Sequence, residues 1–314
     1  MLAYALQRIA LALLICTVAI TALIGLIHVI PGDPIIIMLG PRATPEMREA
    51  KYKEMGMDRP VPVQIALFLG KAATGDLGND MWSKRPVTVV VAETLPYTLS
   101  LIAAGLGWAI VLGIPLGCYS AVRRNSAIDK LTGVISVGTI SIPSFVVAIY
   151  AMLVFAVKLQ WFPAIGAGDR GDLADQAHHL VLPAFAMGLG WVGYLARLVR
   201  ASMLEIMGEQ HVRTARAFGL PERSIIFGYA LRIAILPTIT LISLAFGTLL
   251  SSAVFTEVIF ARPGIGKLIV DAVNFRNYPV VMGTVFVTVT MFSFGTMLAD
   301  LLIARLDPRV RSGL

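Results

Sequence analysis

Charge is scarce in this 314-residue chain, with 14% of residues Asp, Glu, Lys or Arg against 57% hydrophobic. Water-soluble domains carry about a quarter charged residues, so that class is excluded. Cysteine occurs twice, as Cys16 and Cys118, and both fall inside apolar runs, where they read as small buried hydrophobes rather than a disulfide staple. Phosphate-binding chemistry is also missing. The stretch "ARPGIGKLIV" contains Gly266-Lys267, but Leu268 follows where a phosphate-binding loop needs Ser or Thr, and Ala261 takes the place of its first glycine. His178 and His179 adjoin each other without helical ligand spacing and without a Cys or carboxylate pattern, so a solvated pair at a helix entrance is expected, not a metal site. No nucleophile and base recur in the manner of an intramembrane enzyme. Carboxylates deep in an apolar run are absent too: Glu257 and Asp300 lie only near run ends, with Arg305 a ready partner for Asp300. Ion-driven carriers keep such groups at depth, so energy for any transport is expected from another subunit.

What is present is apolar sequence in blocks of about twenty, the length that crosses a hydrocarbon core as a helix. Six such blocks cover 9–30, 97–121, 132–157, 180–196, 233–256 and 280–304, and predict one all-α membrane domain over 1–314. The first has no charged residue from Ile9 to Ile30. It is longer than the roughly 7–15 residues of a secretory signal and no A-x-A-like site follows, so an uncleaved anchor is expected. The formal charge of +7 is explained by topology and not by nucleic acid. With the N-terminus cytoplasmic, inner segments hold Arg8, Arg123, Arg124, Lys130, Arg197, Arg200, Arg213, Arg216, Arg223, Arg232, Arg305, Arg309 and Arg311. The two short outer loops hold only Lys158, Arg170, Arg262, Lys267 and Arg276. That bias places both termini in the cytoplasm.

The outer loop 31–96 carries helical signals of its own. Thr44 can cap, Pro45 suits the first helical position, Glu49 and Lys53 form an i,i+4 pair, and Gly56 can end the turn; a second short helix is expected near Pro62. Glycines and prolines within the blocks, among them Gly113, Gly117, Pro143, Pro183, Gly188 and Gly193, are read as close-packing and bending positions. In the fifth block Thr240, Ser243, Gly247 and Ser251 make a small, mildly polar stripe with Thr248 beside it. It either lines a passage for a polar solute or hydrogen-bonds to a neighbouring helix.

The cytoplasmic segment 197–232 is the longest inner loop. "VRASMLEIMGEQHVRTARAFG" predicts one helix closed by Gly219, with Pro221 just beyond and a new helix from "ERSIIFGYALRIAILP" running into the fifth block. Ala215 and Gly219 lie four apart, which predicts a nearly bare face with Arg213 and Arg216 off it: a docking device for a partner protein. A helix lying on anionic lipid is the alternative, but lipid would favour bulky apolar residues on that face.

These residues resemble the EAA loop of ABC-importer permeases, in particular the dipeptide, oligopeptide and nickel class. "PGDP" at 31–34, "MGMDRPVPVQ" at 55–64, "TGDLG" at 74–78, "FPAIG" at 162–166, "ARPGIGKLIVDAVNFRNYPVVMG" at 261–283 and "LDPRVR" at 306–311 extend the likeness over nearly the whole chain. The resemblance implies a type I importer permease fold, with a coupling helix seated in a cleft of a cytosolic ATPase. Glu209, His211, Arg213, Thr214, Ala215, Arg216, Ala217, Gly219 and Leu220 are the coupling residues it suggests. Gly219 and Ala215 match the loop's glycine and second alanine, while Arg213 and Thr214 replace its glutamate and first alanine, so the glutamate's salt bridge does not carry over.

It further implies a bacterial inner-membrane complex that imports peptides or related solutes. The expected partners are a second homologous permease, two cytosolic ATPases, which bind ATP and Mg, and an extracytoplasmic solute-binding protein. No cofactor, metal or catalytic residue is expected in this chain. The pathway is expected along Thr240, Ser243, Gly247 and Ser251. An outer gate is expected at Glu257, Pro263, Gly264 and Tyr278, within the outer loop 257–279. A secondary carrier and a non-transporting scaffold are the competing classes; the first lacks its deep carboxylates, and the stripe disfavours the second.

Overall fold

The computed structural model describes residues 2–29, 35, 39, 44–56 and 58–306. Among them the regular structure is helical, and the one extended pairing is an isolated bridge between Asn79 and Pro86. The helices are α1 (Leu2–Val29), α2 (Pro45–Met55), α3 (Val61–Ala73), α4 (Val87–Val122), α5 (Ala127–Ser141), α6 (Ser144–Lys158) and α7 (Leu173–Met207). They continue as α8 (Gln210–Ala217), α9 (222–234), α10 (Leu236–Ile259), α11 (Ile265–Asn274) and α12 (Tyr278–Leu306). The "PGDP" stretch, nearly all of "LDPRVR" and the side chains of Asp300 and Arg305 lie outside the described residues.

Four helices, α4, α7, α10 and α12, are long and apolar enough to cross a bilayer, and α5 with α6 makes a fifth candidate. The prediction of six is therefore not met among the described residues, where α1 contributes only the shorter apolar stretch Ile9–Gly25. The span expected over 132–157 is sharply bent, in keeping with the bending role read for Pro143: α5 and α6 meet at 98°. Pro143 is the cause, because its ring pushes the preceding residue out of the helical region, and Ile142 is extended at φ −93° and ψ 120°. Two other helices outrun their apolar blocks, since hydropathy marks lipid contact rather than backbone hydrogen bonding. α4 begins at Val87 instead of 97, and α7 begins at Leu173, where the Asp172 carboxylate accepts from the Ala174 and Asp175 amides.

The chain divides into two compact units, one made of Met1–Pro96 with Gly264–Met297 and the other of Tyr97–Pro263 with Leu298–Leu314. In the first, α2 forms as its local chemistry dictates. The Thr44 hydroxyl accepts from the Met47 amide, Lys53 donates to Glu49 at 2.8 Å, and Gly56 ends the helix in the left-handed region at φ 68°. The core of this unit joins Leu77, Val87 and Val91 to Ile265, Ala272, Val280 and Val281.

In the second unit α4, α7 and α10 share a core of Leu101, Ile102, Ala184, Met187, Ala245, Leu249 and Ala253. Small residues permit that approach. A Cβ on Gly113 would stand 2.9 Å from both the Leu195 Cβ and the Val192 carbonyl oxygen, and one on Gly117 would run into the Ala196 carbonyl. The packing role read from the sequence therefore holds for these glycines. Gly107, Gly133 and Gly138 meet nothing within 4 Å.

Candidate functional site

The segment after α7 folds as a tight helical hairpin, and its geometry departs from the expected continuous helix. α7 stops at Met207, Gly208 and Glu209 turn the chain, and α8 starts afresh at Gln210. Glu209 is extended, and its carbonyl receives the Arg213 amide at 3.2 Å. At the other end the Phe218 amide bonds to the Thr214 carbonyl and the Gly219 amide to the Arg216 carbonyl, with Gly219 left-handed at φ 76°. That conformation costs an ordinary L-residue roughly 1–2 kcal/mol, which accounts for glycine here. Arg216 forks onto the Glu222 carboxylate at 2.8 and 3.4 Å, locking α8 to the start of α9.

Burial corrects the expected docking face. Ala215 is turned inward with Val212 against Ile225 and Ile206, so it belongs to the hairpin's own core. Positions 212 and 215 share one face by helical spacing, which leaves Arg213, Thr214, Arg216 and Ala217 outward. Gly219 and Leu220 are exposed beyond them. His211 is half-buried beside Glu209, its Nδ1 3.1 Å from the carboxylate. The residue missed by sequence reasoning is Phe218, 82% exposed at the tip. A signal existed, since a large aromatic directly before a helix-ending glycine and a nearby proline sits in a tight turn with no core to enter.

Residues 113–312 match the family model described as binding-protein-dependent transport system inner membrane component, and residues 1–102 match its N-terminal companion. The chain belongs to this family of ABC-importer permeases. Among its relatives is a Brucella suis protein named as a peptide permease, 37% identical over 99% of both chains. The glutathione transport system permease protein GsiC of Escherichia coli K12 is 34% identical over 99% of both. The GsiC protein of Pectobacterium atrosepticum is 35% identical over 91% of both. Among solved structures, an inward-facing MetNI methionine ABC transporter has a chain that matches 69% of this one and 96% of its own length, with a TM-score of 0.58 at 18% identity. That likeness establishes the permease fold. The resemblance drawn from the motifs is thus shown, and the chain is a multi-pass membrane permease.

In this permease the polar stripe lies on α10. The Thr240 hydroxyl bonds to its own helix at Leu236 and that of Ser251 at Gly247, and both residues are exposed in the subunit. Neither hydroxyl spends its bond on a neighbouring helix. Gly247 is half-buried between them, and the side chain of Ser243 lies outside the described residues.

The expected gate residues fall in different units: Glu257 and Pro263 in one, Gly264 and Tyr278 in the other. Glu257 is wholly buried, where the sequence had suggested only a position near a span end; it accepts from the Thr98 hydroxyl at 2.5 Å. Arg262, also buried, donates to Ser100 at 3.1 Å and lies 5.6 Å over the Tyr97 ring. Pro263 is exposed, while Gly264 caps α11 and Tyr278 is buried at the start of α12.

The two histidines lie at a helix entrance as expected, His178 exposed and His179 half-buried. Both stand on the first turns of α7, with His178 Nε2 3.0 Å from the Trp161 carbonyl oxygen and His179 Nδ1 2.9 Å from that of Asp175. Among the described residues no group of three His, Cys, Asp or Glu is placed to hold a metal.

Proposed function

We propose that this permease forms one half of the translocation path of an importer for peptides or peptide-like solutes, powered through its 209–220 hairpin by cytosolic ATPases. The complex comprises a second homologous permease, two ATPases that bind ATP and Mg, and an extracytoplasmic binding protein that delivers solute. The chain crosses the bacterial inner membrane six times with both termini in the cytoplasm. Names of relatives that refer to peptides and glutathione support the solute class. The exposed hydroxyls of Thr240 and Ser251, with Gly247 between and Ser243 on the same stripe, supply a polar lining, and the outer gate is assigned to the 257–279 segment that carries Glu257, Pro263, Gly264 and Tyr278.

The observation that carries the coupling role is the bare phenyl ring of Phe218, 82% exposed at the turn of a hairpin that buries Val212, Ala215 and Ile225 in its own core. A pre-organised aromatic with an outward Arg213 and Leu220 beside it fits a cleft on a partner, and anchors of that kind dominate protein interfaces. Phe218→Asp is expected to weaken capture of the ATPase subunits by about thirtyfold or more, the scale of an aromatic anchor. Co-purification of the complex in mild detergent measures it. Retention of the ATPases at wild-type stoichiometry, with solute-stimulated hydrolysis intact, would refute the docking role.

A further inference from the structure

Next to the coupling hairpin, two close contacts along the packed pair hold α7 to α5. At Gly193 the helices touch backbone to backbone, since a Cβ there would stand 2.8 Å from the Ser136 carbonyl oxygen and 3.0 Å from its Cα. At Arg200 the guanidinium forks onto Asp129, with Nε to Oδ1 at 2.5 Å and Nη2 to Oδ2 at 2.8 Å. Seven residues separate the contacts on each helix, 193 to 200 and 129 to 136, so the antiparallel pair is pinned at points about 10 Å apart. Of the two, the polar fork is the contact that fixes direction and register.

The Asp129 carboxylate is 5% exposed and fully engaged. Besides Arg200 it accepts from the Ser120 hydroxyl at 2.5 Å and the Asn125 amide at 2.9 Å, gathering the end of α4 and the α4–α5 turn. The Ser126 hydroxyl in turn caps α5 by accepting from the Asp129 amide. A planar fork resists rotation and sliding, which apolar contacts tolerate, and Lys cannot reproduce it. On the far side α7 is packed by Val199 and Met203 against Cys118, Ala121, Ala230 and Ala234. Its end is tied to α8 by Ile206, which packs on Val212, Ala215 and Ile225, and whose carbonyl receives the Glu209 amide.

We infer that the Arg200–Asp129 fork is the transmission joint of this permease: displacement of α8 passes through the end of α7 to Asp129 and moves α5 as one body with the hairpin. Beyond α5 the chain turns 98° at Pro143, so the same displacement is delivered to α6 along a different axis. Arg200 and Asp129 are thus positioning residues, distinct from the docking surface at Phe218. This inference rests on the ATPase-coupling role only for the source of the displacement.

The test uses spin labels at Gln210→Cys on α8 and Val134→Cys on α5, both exposed, while the native Cys16 and Cys118 are buried and resist labelling. Distances are measured by pulsed dipolar spectroscopy in the permease alone in nanodiscs and in the complex with its ATPases, nucleotide-free and vanadate-trapped. The expected result is one narrow distance, unchanged on trapping. Arg200→Lys should broaden it in the permease alone and shift it on trapping, while Ser120→Ala, which leaves the fork in place, should not. A distance that already changes on trapping without the substitution, or an Arg200→Lys distribution matching the parent or the Ser120→Ala form, overturns the joint. Failure of the ATPases to assemble would instead count against the docking role, and the nanodisc measurement still decides the fork.

Discussion

Gly113 and Gly107 stand on the same helix, yet their surroundings give them opposite tolerances. The ideal Cβ at Gly113 collides with α7 at 2.9 Å, and one of the atoms it meets is a backbone carbonyl that cannot swing aside. Gly113→Ala is therefore expected to destabilise by about 1–3 kcal/mol, the range for overpacked cores. Gly107 has nothing within 4 Å, so Gly107→Ala adds helix propensity without a clash and should stabilise by up to about 1 kcal/mol. Thermal unfolding of the two variants in one detergent compares them directly. Opposite signs are the signature; a loss at both positions would mean that α4 packs differently from the described structure.

At the scale of elements, the turn between α3 and α4 is fastened to the start of α12 by Asp80. Its Oδ1 accepts from the Trp82 amide at 2.8 Å and from Asn277 Nδ2 at 2.6 Å, and its Oδ2 accepts from the Ser83 hydroxyl at 2.7 Å. Partial burial pushes this carboxyl upward, but the hydrogen bonds from Ser83, Trp82 and Asn277 together outweigh it and hold the group below the usual carboxylate range. A depressed folded value means that the turn's contribution is present in full above the unfolded value, about pH 4, and is lost as pH falls through the folded one. Thermal midpoints of the parent should accordingly drop more steeply below pH 4 than those of Asp80→Asn, and parallel curves would remove Asp80 from the account.

How much of an element was legible followed from where its determinants lie. α2 could be read residue by residue, because Thr44, Pro45, Glu49, Lys53 and Gly56 act on one another within a few positions. The stop at Gly208 was hidden by the helix-forming residues on both sides of it. The burial of Glu257 depends on Thr98, 159 residues away, and the inward turn of Ala215 depends on Ile225 in the next helix. The segment proposed for coupling could thus be singled out from local pattern, while its outward face, with Phe218 in place of the Ala215 surface, required the tertiary fold.

For the molecule as a whole, the basic residues remain the strongest statement about orientation. Arg123, Arg124, Arg197, Arg200, Arg213, Arg216, Arg223 and Arg232 fall in the segments assigned to the cytoplasm, against the few cations of the two short outer loops. A fluorescent reporter that matures only in the cytoplasm should light when fused at either end of the chain and stay dark in the α6–α7 loop. The reverse pattern would invert the topology and place the 209–220 hairpin outside the reach of any cytosolic ATPase.

The ring of Phe218 has one more implication, for the life of the subunit before assembly. A newly made copy, before any partner binds, carries this exposed aromatic at the turn of its 209–220 hairpin. On the docking role proposed for it, capture by an ATPase would hide this ring, so the same side chain would distinguish a lone subunit from an assembled one.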